Sequence, residues 1–72
     1  MRIKENVLVA VGEIAELTPR KKIRVIISNE ERDGGIFKGE ILAEARMAQK
    51  ILGAMDDSCQ LVFFHLEAEV DD

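Results

Sequence analysis

Toward its carboxyl end the chain reads QLVFFHLEAEV, from Gln60 to Val70, and this run constrains the fold more than any other. Side chains along a strand point alternately to opposite faces. One set here is Val62, Phe64, Leu66, Ala68 and Val70; the other is Leu61, Phe63, His65, Glu67 and Glu69. The first row is apolar throughout and should face a core. The second begins apolar and ends polar, so Leu61 and Phe63 require a cover of their own.

Length makes that cover scarce. Seventy-two residues are expected to form a single domain spanning 1–72. At this size core burial barely offsets chain entropy, so small chains often add a disulfide, a metal or a second subunit. Cys59 is the sole cysteine and His65 the sole histidine. An internal disulfide is therefore impossible, and a structural zinc site finds too few ligands. Association is the remaining device. With 47% hydrophobic and 33% charged residues, the chain is too apolar for a disordered tail.

Upstream, VLVAVGEIAEL (Val7 to Leu17) opens with Val7, Val9 and Val11 alternating with Leu8 and Ala10. This β-branched alternation predicts a first strand. Its second half, GEIAEL, is rich in helix formers and also suits a helical turn. TPRKK (Thr18 to Lys22) follows, with Pro19 fitted to the second position of a turn. IRVIIS (Ile23 to Ser28) reads as a second strand, with Ile23, Val25 and Ile27 on one face and Arg24, Ile26 and Ser28 on the other. Asn29 to Gly35 is polar and ends in Asp33-Gly34-Gly35, a bend signal. From Ile36 the period changes to that of a helix, with Phe37, Ile41, Ala45, Ala48, Ile51, Leu52 and Met55 on one stripe and Gly53 as a candidate exit.

The expected architecture is thus α+β: a small ββαβ domain whose three-stranded, mainly antiparallel sheet has order 2-1-3 and carries one helix on one face. The second and third strands would be parallel, joined by a right-handed crossover. The other face would expose Leu61, Phe63 and Ile26 as an apolar patch, which soluble monomers rarely leave bare. A homodimer or higher oligomer, or another protein, is the expected partner.

Candidate sites are few. His65, Glu67 and Glu69 project to one side, but alternate strand positions stand about 6.5–7 Å apart, too far to close on one ion; no metal site is expected. Asp33 to Glu40, DGGIFKGE, has the glycine spacing of a phosphate loop but Glu40 where lysine is required. Arg20, Lys21, Lys22 and Arg24 gather at the expected hairpin tip and suit a contact with an acidic protein or nucleic acid. The formal charge of −4, from 14 acidic and 10 basic residues, disfavours nucleic acid. Cys59 reads as a partly buried thiol. No nucleophile–base pair is legible, so no catalytic residue and no cofactor are expected, and an enzyme ranks last.

Three functional readings follow. The first is a non-enzymatic homo-oligomeric assembly or regulatory module in a cytosolic complex. The second is a small-ligand binder with a pocket at a subunit interface, lined by Leu61, Phe63, Ile26 and His65. The third is a nucleic-acid binder acting through Arg20 to Arg24. The apolar runs fall short of membrane-spanning length and Met1 is not followed by a charged-then-apolar leader, so the expectation is a soluble, cytoplasmic protein without membrane contact.

Overall fold

Val7 to Leu17, expected as a strand, is a helix. In a computed structural model, which describes residues 1–30 and 36–71, the order is β1 (Arg2–Ile3), α1 (Val7–Leu17), β2 (Lys22–Glu30), β3 (Ile36–Glu44), α2 (Ala45–Asp57), a short 3₁₀ turn (Gln60–Phe63) and β4 (His65–Val70). The α+β class and the antiparallel sheet hold. The number of strands, the number of helices and the strand order do not.

The helical outcome for α1 follows from which residues find a core. Val7, Val11 and Ala15 are buried, one turn apart on a single face, with Leu8 and Ile14 packed beside them. Val9, which the strand reading placed with Val7 and Val11, stays exposed. Packing of this stripe outweighs the modest helix-propensity penalty of the valines. At the far end Thr18 donates its backbone N–H and its hydroxyl to the Ile14 carbonyl. Pro19 follows, and the Lys21 N–H returns to the Thr18 carbonyl at 3.0 Å. The turn with Pro19 in second position therefore forms, but it joins a helix to a strand rather than two strands.

The expected long helix is divided. Ile36 to Glu44 is a strand, antiparallel to β2 over its whole length, from Lys22 opposite Glu44 to Glu30 opposite Ile36. Only Ala45 to Asp57 is helical. Within α2 the expected stripe holds for Ala45, Ala48 and Leu52, which are buried, and for Met55, which packs against them; Ile51, assigned to the same stripe, is exposed. Gly53 lies inside the helix rather than at its exit. Termination comes at Ser58 and at Cys59, whose φ of 60° is left-handed, the conformation that commonly ends a helix.

Sheet order is β1-β4-β2-β3. The second and third strands of the sequence reading, β2 and β4, are direct neighbours and antiparallel, with Val25 opposite Ala68. No crossover joins them, because α2 returns the chain from β3, a strand the helix reading had absorbed. One face of the sheet carries Ile23, Val25, Ile27, Ala68 and Val70, all buried. Both helices lie on that face, α1 touching β4 and α2 touching β2 and β3. The helices approach closely where Gly12 faces α2: a Cβ there would meet Gln49 Nε2 at 3.4 Å. Ile23, Val25, Val11 and Leu52 are the largest fully buried side chains, each stabilising by about 1.5–3 kcal/mol relative to exposure.

Leu61 requires a direct correction. It sits in the 3₁₀ turn, not a strand, and is 9% exposed within the core. Phe63, two residues on, is 76% exposed. The pair does not share a face, so the expected patch of Leu61, Phe63 and Ile26 does not exist as a unit.

Candidate functional site

Which residues occupy the uncovered face follows from strand parity. They are Lys22, Arg24, Ile26 and Ser28 of β2, Lys38, Glu40, Leu42 and Glu44 of β3, and His65, Glu67 and Glu69 of β4, joined by Arg2. This face is charged rather than apolar. Arg2 lies 2.7 Å from Glu67 and 3.2 Å from Glu69. Arg24 lies 3.6 Å from Glu69 on one side and 2.6 Å from Glu40 on the other. The ion pairs therefore run across all four strands. Ile26, directly opposite both Glu67 and Glu40, is half-buried among them. Glu40 and, to a lesser degree, Glu69 hold the Arg24 guanidinium above the ordinary arginine pKa, chiefly through the hydrogen bond to Glu40.

The row His65, Glu67, Glu69 resolves accordingly. Both glutamates are engaged by arginine, and His65 opposes Ser28 at the strand entrance. Among the described residues no group of three or more His, Cys, Asp or Glu is placed to hold a metal ion. His65 and Ile26 do share a wide notch of about 610 Å³, where β4 runs past the end of β1 and the start of α1. Lys4, Asn6 and Glu67 also line it. Leu61 and Phe63 do not, so the four residues proposed for one ligand pocket are dispersed.

The basic residues separate as well. Arg24 is mid-strand and ion-paired, and Lys22 starts β2 on the open face beside Leu42 and Glu69. Lys21 is half-buried. Arg20 is 94% exposed at the turn, with Glu44 4.0 Å away. It borders a 420 Å³ depression together with Arg46, Met47 and Lys50 of α2. Arg46 and Lys50 escaped the sequence reading because their proximity to Arg20 depends on α2 starting beside the turn. The Ala45 N–H donates to the Lys21 carbonyl at 2.7 Å, and the Arg46 N–H to that of Pro19 at 3.0 Å. Two of the amides that a helix start leaves free are thereby already occupied, which weakens an anion site there.

The glycine-rich candidate Asp33 to Glu40 falls partly outside the described residues. Its remainder, Ile36 to Glu40, is strand, so no helix start follows to receive a phosphate. Cys59 is exposed rather than partly buried.

One edge of the sheet stands out. β3 is nine residues long and pairs only with β2 among the described residues. At the opposite edge β1 spans only two residues. A long edge strand presents a row of backbone donors and acceptors on its outer side. Leu42, on this strand, is 71% exposed. Among the described residues no helix is long and apolar enough to cross a membrane. Neither a family model, nor a curated protein, nor a solved structure matches this chain.

Proposed function

We propose that the protein is a small non-enzymatic assembly module that associates with copies of itself through the β3 edge. The supporting observation is the nine-residue edge strand with no neighbour on its outer side among the described residues. Natural sheets usually keep such edges short, covered or charged; β3 is long, and its charges Lys38 and Glu40 are of opposite sign, so that a second copy of the strand presents a complementary edge. This basis differs from the sequence expectation, since the uncovered sheet face is occupied by ion pairs. Size-exclusion chromatography with light scattering at micromolar concentration tests the reading. A dimer or larger species is expected, and a folded monomer across the accessible concentration range would refute it.

A second reading is favoured by the convergence of Arg20, Arg46 and Lys50 around the half-exposed Met47. This corner suits an acidic protein segment, cations holding carboxylates and the thioether lying on apolar carbon. Nucleic acid remains the rival occupant. Anisotropy with a labelled acidic peptide and with a labelled oligonucleotide at low salt separates them, using Arg20→Glu/Arg46→Glu as control. Equal binding by native protein and variant removes this surface.

A further inference from the structure

We infer that two copies pair antiparallel along β3 about a two-fold axis at Gly39, so that Lys38 of each copy faces the partner subunit's Glu40. This rests on the homo-oligomer reading and specifies its contact. A two-fold relating identical edge strands makes them antiparallel, and two four-stranded sheets then become one continuous sheet. Keeping both helix layers on one side requires opposed residues of the same parity, since a slip by one position reverses every side chain. The axis therefore passes through a residue, not between two.

Charge chooses the residue. On the open face β3 presents Lys38, Glu40, Leu42 and Glu44. An axis at Glu40 sets Glu40 against the partner's Glu40, a like-charge pair. An axis at Ile41 joins Lys38 to the partner's Glu44 but places the exposed Leu42 against a carboxylate. An axis at Gly39 sets Lys38 against the partner's Glu40 twice, by symmetry, and leaves Leu42 opposite position 36, away from any charge.

The side chains are free to do this. Lys38 is exposed and has no ion pair among the described residues. Arg24 addresses Glu40 with both Nε and Nη2 on the single oxygen Oε2, which leaves Oε1 for an ammonium group from across the edge. The overlap, positions 36 to 42 of each strand, supplies about six to eight backbone hydrogen bonds.

The test is charge exchange in the full chain, read by analytical ultracentrifugation with circular dichroism to verify folding. Lys38→Glu and Glu40→Lys should each weaken the dimer about tenfold, by turning two attractive pairs into repulsive ones. The double exchange should restore it to within about threefold, and Glu44→Lys should change it less than about twofold. Independently of charge, Lys38→Cys/Glu40→Cys in a Cys59→Ser background should yield a covalent dimer on mild oxidation, because directly opposed residues fall within disulfide range. A dimer indifferent to Lys38 and Glu40 but weakened by Glu44→Lys, or one that fails to cross-link, overturns this register and leaves the oligomer reading standing. A folded monomer overturns both.

Discussion

Arg24 of β2 directs two nitrogens to one oxygen of Glu40: Nη2 lies 2.6 Å and Nε 2.7 Å from Oε2. The two residues are diagonal neighbours across the β2–β3 pair, within reach of a long side chain. With Glu69 on its other flank, Arg24 connects three strands of the open face. Its pKa is raised above the ordinary arginine value. A group raised in this way stabilises the fold at every pH below its unfolded pKa, and the benefit is lost only as pH climbs through the folded value. Both lie beyond the working range. The stability difference between the native protein and Arg24→Leu should therefore be constant from about pH 6 to about pH 10. Thermal denaturation across that interval measures it, and a difference that shrinks toward pH 10 would contradict the assignment.

Leu61 and Phe63 should part company under mutation. Leu61→Ala removes buried carbon beside α2 and is expected to cost about 2–4 kcal/mol. Phe63→Ser alters a side chain that is three-quarters in solvent and should stay within about 0.5 kcal/mol. Urea denaturation of the two variants decides it. Comparable losses would contradict the burial of Leu61 and the exposure of Phe63.

Gly53→Ala should stabilise the protein. Gly53 lies inside α2, and a Cβ built there meets nothing within 4 Å. Alanine in a helix interior is favoured over glycine by about 0.8–1.0 kcal/mol, so a rise of about 0.5–1 kcal/mol in unfolding free energy is expected from chemical denaturation.

Cys59→Gly should stabilise too, for the opposite reason. Cys59 holds φ at 60° just beyond α2. A left-handed backbone costs an L-residue with a Cβ roughly 1–2 kcal/mol, while glycine brings extra unfolded-state entropy. A net gain of about 0.5–1 kcal/mol is expected. Asn6, at φ 50°, should respond less to the same change, since asparagine tolerates this region.

The sequence was most legible where one period had no rival. Ile23, Val25 and Ile27 alternate with polar or half-buried neighbours, and β2 lies where that pattern placed it. Ala68 and Val70 face the core as their row predicted. The failures share a cause: residues that satisfy two periods at once. Val7 and Val11 are four apart, a spacing that suits one face of a strand and one face of a helix alike, and only the exposure of Val9 separates the two. Phe37 and Ile41 stand in the same relation, which extended the α2 stripe backward over β3. A signal for β3 was present in Lys38, Glu40 and Glu44, charges on alternate residues facing apolar Ile41 and Ala43, but the strong helical stripe downstream concealed it. The site suffered in turn. Without β3 the Glu40 partner of Arg24 and the nine-residue edge are both missing, and the uncovered face reads as apolar when it is laced by ion pairs.

β4 lies inside the sheet although it comes last of the strands in sequence, and it is held on both sides: Val70 exchanges hydrogen bonds with Met1, and Ile23 stands opposite it. During synthesis the β2–β3 hairpin can close from nearby residues, yet the sheet stays split until His65 to Val70 have emerged. Joining Arg2 to Glu69 spans 67 positions, a non-local step of the kind that slows folding. A nascent chain therefore waits with β2 bare on the flank that β4 will later fill, beside a β3 edge that is open from the start. Any encounter between two such unfinished chains can join the wrong strands, so the order in which strands leave the ribosome bears directly on whether each chain folds or clumps.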